Sequence, residues 1–252
     1  MTQAMVSVTD LVKRYGGKAV VKKISFSVEQ GEIFGILGPN GAGKTTTLEM
    51  IETIRPIDGG KVMINGLDVS REQRAVKQLI GVQPQTASFE EKTKLTETLE
   101  FFASTYGKNI HAAQLLKDVE LLDKAAAYPE QLSGGQRQRF SIAVALVHQP
   151  KVLFLDEPTT GLDPQARRHI WGLVQAIRKK GVTIIMTSHY MEEAELLCDR
   201  VAIMDKGRII ALDTPQQLVK DLLAKGFKKQ QHVEQASLDD VFIDLTGKAL
   251  RD

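Results

Sequence analysis

The sequence predicts an α/β fold: a mixed, mainly parallel sheet, an N-terminal antiparallel β subdomain and an inserted helical subdomain. Three observations carry that reading. The opening third is rich in β-branched residues interrupted by glycine-containing turns. Beyond residue 150, short and continuously apolar runs alternate with a strongly amphipathic helix, as in parallel strands covered on both faces. Between these regions, residues 87–148 read as helix throughout and break the alternation.

Taken in order, residues 5–11, 20–28 and 33–37 read as strands, separated by Gly16-Gly17 and Gln30-Gly31. After a glycine-rich loop comes a helical stretch carrying Leu48, Ile51 and Ile54. Asp58-Gly59-Gly60 and Asn65-Gly66 mark tight turns on either side of a short strand at 61–64. In the helical region, Leu99, Phe102 and Ala103 share one face, and Leu115, Leu116, Val119 and Leu122 share another; Pro129 breaks the pattern before Ser133. Residues 152–155 and 182–187 read as buried strands. Between them, 164–180 is the clearest helix: Asp163 caps it, Pro164 suits its first turn, Ile170, Leu173, Val174 and Ile177 form its stripe, and Gly181 ends it. Residues 201–204 and 208–212 form a hairpin around Lys206-Gly207. We assign residues 1–225 to one domain and 226–252 to a polar linker followed by a short amphipathic helix at 237–245.

Composition narrows the class. The 252 residues are 42% hydrophobic and 25% charged, with a net charge of +2, which fits a folded globular protein and excludes a disordered chain or a basic nucleic-acid tail. A chain this long buries about 70–75% of its unfolded surface and needs no covalent staples. Cys198 is the sole cysteine, so no intramolecular disulfide or multi-cysteine metal site can form, and an intracellular setting is expected. No run approaches the roughly 20 apolar residues of a membrane span, so any membrane role is expected to come through a partner.

Gly38-Pro39-Asn40-Gly41-Ala42-Gly43-Lys44-Thr45 fits the phosphate-binding pattern G-x-x-x-x-G-K-[ST], between a strand and a helix as that pattern requires. Its glycines let the backbone curl so that N–H groups converge on an anion, and the helix that follows, through Thr46, adds its positive N-terminal end. Lys44 then places a charge on the terminal phosphates, and the Thr45 hydroxyl suits Mg²⁺. The core is accordingly expected to be that of a P-loop NTPase. Four apolar residues at 152–155 deliver Asp156 and Glu157 to a strand end beside this loop, Asp156 placed to hold Mg²⁺ and Glu157 to act as general base.

Leu132-Ser133-Gly134-Gly135-Gln136 supplies a second anion site, with Ser133 capping a helix that starts at Gly134. One chain has no evident need of two such sites around one γ-phosphate; two chains arranged head to tail do. With these three motifs in this order, the sequence resembles the ATP-binding subunit of an ABC transporter over residues 5–215. The resemblance implies that ATP and Mg²⁺ are bound and ATP is hydrolysed between two subunits, with Ser133, Gly134, Gly135 and Gln136 acting in trans. It implies further roles one residue at a time: Tyr15 stacks on adenine, or is an ordinary strand-end tyrosine. Gln85 touches Mg²⁺ and the attacking water, with Gln83 as the alternative. Asp163 lies in a loop crossing the dimer interface, besides capping its helix. His189, after a buried strand, contacts the γ-phosphate.

A narrower resemblance, to ATPase subunits of ABC-2-type and drug-resistance exporters, rests on Lys94-Leu95-Thr96-Glu97-Thr98-Leu99-Glu100-Phe101-Phe102, on Tyr106-Gly107 and on Ser237-Leu238-Asp239-Asp240-Val241-Phe242. It implies separate transmembrane permease subunits and a place on the cytoplasmic face of the membrane. An importer subunit is the alternative within transport. A soluble mechanical ATPase acting on nucleic acid or the ribosome is the alternative outside it. Against the latter stand the absence of long heptad runs, the single phosphate loop and the balanced charge.

Overall fold

The computed structural model describes residues 4–90 and 92–227. The chain divides into a compact unit, residues 1–218, and a second unit from residue 219 on, described only to residue 227. The predicted helix at 237–245 lies outside the described residues.

Strands β1 (Val6–Tyr15) and β2 (Lys18–Val28) form a hairpin through Gly16 and Gly17, both at positive φ. Next come β3 (Ile33–Leu37), α1 (Lys44–Ile51), β4 (Gly59–Ile64), β5 (Leu67–Asp68), α2 (Gln73–Lys77) and β6 (Ile80–Gln83). The helical region holds α3 (Leu95–Thr105), α4 (Ala112–Asp118), two short 3₁₀ turns and α5 (Gly134–Leu146). Then follow β7 (Val152–Asp156), α6 (Pro164–Lys179), β8 (Thr183–Ser188), α7 (Met191–Leu197), the hairpin β9 (Arg200–Asp205) and β10 (Arg208–Asp213), and α8 (Pro215–Ala224).

Two sheets result. The first, ordered β2-β1-β4-β5, is antiparallel throughout. The second, β10-β9-β3-β8-β7-β6, is parallel except for the edge strand β10. The central strands are apolar on consecutive residues because each face feeds a different core. Along β7, Leu153 and Leu155 pack with the helices, whereas Val152 and Phe154 pack toward the antiparallel sheet. The same period of two separates Ile184 and Met186 from Ile185 in β8. The sheet-to-sheet core includes Phe26 stacked on Phe34 with centroids 5.1 Å apart. The helix-side core gathers Leu99, Leu116, Phe140, Ile170 and Val174, all fully buried and each contributing about 1.5–3 kcal/mol.

Two sequence expectations need correcting. Ile54 is not on the first helix: α1 stops at Ile51, Thr53 takes a left-handed conformation, and the amides of Ile54 and Arg55 turn back to the Glu49 carbonyl, leaving Ile54 exposed. Leu122 does not continue the face of Leu115, Leu116 and Val119. α4 ends at Asp118, Glu120 is left-handed, and the one-residue change of phase buries Leu121 and exposes Leu122. The short elements β5, α2, β6 and α7 carried no sequence assignment. Among the described residues, no helix is long and apolar enough to cross a membrane.

Candidate active site

The parallel register brings three loops to one edge of the second sheet. Leu37 pairs with Ser188 and Asp156 with Thr187, so the chain leaves β3, β7 and β8 side by side at their carboxyl ends. In open α/β sheets that edge is where ligands bind. Gly38 is required there by packing: a Cβ would stand 2.2 Å from the Met204 carbonyl oxygen. Gly41 and Gly43 take φ of 78° and 101°, which lets the backbone wrap into the start of α1.

Lys44 is buried, and its ammonium donates to the carbonyls of Gly38 (2.9 Å) and Pro39 (3.3 Å). It lies 3.5 Å from Glu157 Oε1. The Thr45 hydroxyl is 3.4 Å from Asp156 Oδ1, which also accepts from the Thr187 hydroxyl. Burial raises the Asp156 pKa; the Thr187 and Thr45 hydroxyls oppose the rise, and the Glu157 and Glu49 charges add to it. A hydroxyl and a carboxylate at a loop built for phosphate make an all-oxygen donor set suited to a hard divalent cation, so these residues fit Mg²⁺.

Glu157 is the hub of the site. Its backbone is left-handed at φ 48°, and its amide donates to Thr187 Oγ1 at 2.9 Å. Besides Lys44, its carboxylate meets Thr160 Oγ1 (3.1 Å), His189 Nδ1 (3.3 Å) and Gln85 Nε2 (3.4 Å). These groups line a cleft of about 570 Å³ together with Asn40, Gly41, Gly43, Thr45 and Thr46. Of the two glutamines, Gln85 lines the cleft. Gln83 is fully buried, with its amide nitrogen turned to the Pro84 carbonyl and its Oε1 unpartnered.

The second motif stands elsewhere. Ser133 caps α5 by accepting from the Gln136 amide at 3.3 Å, while Gln136 Oε1 accepts from the Ser133 amide at 3.0 Å. Asp163 caps α6, accepting from the Ala166 amide at 2.8 Å. Gly134 begins α5, and Gly135 lets α5 approach α6, since a Cβ there would sit 2.9 Å from the Ala166 Cβ. Ser133, Gly135, Gln136 and Asp163 line a separate cleft of about 230 Å³, which shares no residue with the cleft at Lys44. Tyr15 lies outside both, at the end of β1, partly exposed, with Lys13 Nζ 5.6 Å and the Arg55 guanidinium 5.7 Å from its ring centroid.

Two site residues escaped the sequence reading. Thr187 fastens both Asp156 and the Glu157 backbone; its place near the end of the same buried strand that leads to His189 was the available signal. Thr160 reaches Glu157 from one turn further along the same loop, and its own amide bonds the Glu157 carbonyl at 3.2 Å.

Comparison with known proteins places the chain in a family. Residues 21–160 match the family described as ABC transporter. The chain is 43% identical over 223 residues to the linearmycin resistance ATP-binding protein LnrL of Bacillus subtilis (strain 168), covering 86% of this chain and 72% of that protein. It is also 43% identical over 225 residues to the Nod factor export ATP-binding protein I of Burkholderia orbicola (strain AU 1054), covering 87% of this chain and 74% of the relative. A solved ATP-binding subunit of an ABC transporter superposes with a TM-score of 0.79 at 28% identity, over 96% of this chain and 99% of that one. A dimeric ATP-binding cassette in a post-hydrolysis state, bound to ADP and Pi, superposes with a TM-score of 0.75 at 26% identity, over 84% and 99% of the two chains. The chain belongs to the ABC transporter family, as one of its ATP-binding, ATP-hydrolysing subunits.

Proposed function

We propose that the chain powers export through separate transmembrane permease subunits, working as a head-to-tail pair of ATPase subunits that closes on two ATP molecules. The observation that carries the reading is the separation of the two clefts. The lysine loop and the serine-capped helix each offer amides to an anion, yet they line different surfaces of one chain. Only a second copy, or a homologue, can bring the two kinds of surface face to face around one γ-phosphate.

In this reading Lys44 and the amides of the loop 38–46 hold the phosphates, and Tyr15 stacks on the adenine. Thr45, Asp156 and Gln85 hold Mg²⁺, which when bound neutralises charge developing on the phosphate oxygens. Glu157 takes a proton from the attacking water, and His189 orients on the γ-phosphate beside it. Ser133, Gly134, Gly135, Gln136 and Asp163 contact the nucleotide held by the partner. The Lys44 ammonium pairs with the Glu157 carboxylate at 3.5 Å, and the charge of a triphosphate competes with Glu157 for it. We assign residues 1–225 to the ATPase domain, with the helical subdomain at about 87–148, and 226–252 to a linker and tail.

Export rather than import is supported by the names of the two relatives, one a resistance protein and one an export protein. With no spanning helix among the described residues, attachment to the cytoplasmic face of a membrane falls to the permease. Affinity purification from detergent-solubilised membranes tests the assignment. Recovery with a multi-span protein that raises the ATPase rate is the expected result; salt-sensitive recovery with nucleic acid alone would contradict it.

A further inference from the structure

A carboxylate behind the site has no role in the chemistry described so far. Glu193, in α7, is fully buried. Burying a carboxylate is costly unless its oxygens are paired; here Oε1 accepts from Thr159 Oγ1 at 2.9 Å and from Trp171 Nε1 at 3.1 Å, and the hydroxyl of Ser188, next to His189 in the chain, also favours the charged form. Among the described residues, no donor meets Oε2 in full hydrogen-bonding geometry. Apolar side chains commonly replace such groups without loss of stability, so packing alone does not account for an acid here.

Its partners do. Thr159 is two residues beyond Glu157, in the turn closed by the Thr160 amide on the Glu157 carbonyl and the Leu162 amide on the Thr159 carbonyl, both at 3.2 Å. Glu193 itself lies four residues after His189, in the first turn of the helix that the histidine segment leads into. Trp171 lies on α6. One oxygen therefore joins the loop bearing Glu157, the turn bearing His189 and a helix of the rigid core. The same helix reaches the histidine turn a second time: the Arg167 guanidinium lies 5.2 Å from the Tyr190 ring, which packs 4.2 Å from the His189 ring. Glu157 also needs such restraint, because a non-glycine residue at φ 48° persists only where its surroundings hold it.

We propose that Glu193 is a positioning residue for ATP hydrolysis: by clasping the Thr159 hydroxyl and the Trp171 indole, it holds Glu157 and His189 in a single arrangement at the cleft. The proposal rests on the roles given above to Glu157 and His189.

The test is a double-mutant cycle on the full chain, purified with its membrane subunits, reading kcat and KM for ATP. Thr159→Val, which removes the hydroxyl without opening a cavity, is expected to lower kcat about 10-fold with KM within about two-fold. Glu193→Ala is expected to do the same, Glu193→Gln to recover most of the lost rate because its amide oxygen still accepts, and the double variant T159V/E193A to fall no further than E193A. Effects that multiply, or a raised KM with kcat unchanged, overturn the proposal. Should E193A not accumulate folded, T159V alone decides, and an unchanged kcat overturns it. Glu157→Gln assayed alongside separates the two levels. If E157Q hydrolyses ATP normally, the base assignment fails and the clasp with it; if E157Q is inactive while the cycle multiplies, the clasp alone fails.

Discussion

The two helix starts of this molecule, at Lys44 and at Gly134, solve one electrostatic problem in opposite ways. Both expose backbone amides and the positive end of a helix to an anion. The first is locked into the sheet: Gly38 packs against the Met204 carbonyl, Lys44 is buried, and four polar groups converge on Glu157. The second is a self-contained capping box in which the Gln136 and Ser133 amides are met by each other's side chains, and the acid among the residues lining its cleft, Asp163, is itself engaged as a cap. The first has what a reaction needs, and the second has what a contact needs. On the proposed pairing of two chains, that difference assigns the reaction to one helix start and the contact to the other.

Variants at the two helix starts sharpen the contrast. The largest effect belongs to Glu157→Gln, which should lower ATP hydrolysis about 10²–10⁴-fold while leaving ATP binding intact, read by single-turnover hydrolysis beside equilibrium nucleotide binding. Ser133→Ala should lower steady-state hydrolysis roughly 10–100-fold with little change in the affinity of a single chain for ATP, and cost about 1 kcal/mol of helix-cap stability in thermal melts. Normal hydrolysis in S133A would reduce the second helix start to a structural cap.

The glycines give a third comparison. Gly38→Ala should destabilise the fold by more than about 2 kcal/mol, because its Cβ would collide with the Met204 carbonyl 2.2 Å away. At Gly134 the nearest atom to a new Cβ is Leu162 Cδ2 at 3.8 Å. Gly134→Ala should therefore melt within about 2 °C of the parent or above it, yet slow hydrolysis by crowding the anion's approach. Equal melting temperatures for the two variants would erase the distinction.

The smallest effect concerns pH. Glu52, where α1 ends, is buried, and burial first, with the charges of Asp156 and Glu49 adding, raises its pKa to about 8. Because the folded value lies above the unfolded one, the folded chain holds the extra proton between about pH 4.5 and pH 8. Stability is thus lost as pH rises through that window. Glu52→Gln should flatten the decline and raise stability at pH 8 relative to the parent chain, measured by denaturant melts across pH. A slope unchanged by the substitution would refute this.

How much was legible in the sequence differs between the same two regions. The core strands announced themselves because each face of β7 and β8 enters its own apolar core, leaving an uninterrupted hydrophobic run. The loop at 38–46 was legible because close backbone approach demands glycine at fixed places. Breaks in helical pattern were not legible: left-handed Glu120 shifts the pattern by one position, left-handed Thr53 turns the chain out of α1, and no periodicity count anticipates where an L-residue accepts that conformation. Nor was the clasp of Glu193 on Thr159 and Trp171. It joins residues 34 and 22 positions apart through a single oxygen, a relation set by tertiary packing alone.

Mass measurement of the hydrolysis-deficient chain tests the central claim most directly. The account predicts that E157Q, loaded with Mg·ATP and examined by light scattering with its permease supplied, doubles its ATPase-subunit stoichiometry. Adding Ser133→Ala to the same chain should abolish that pairing while each chain still binds ATP. An E157Q chain that binds ATP yet never pairs, or one that pairs equally well without Ser133, would contradict the claim that the nucleotide is gripped from two chains.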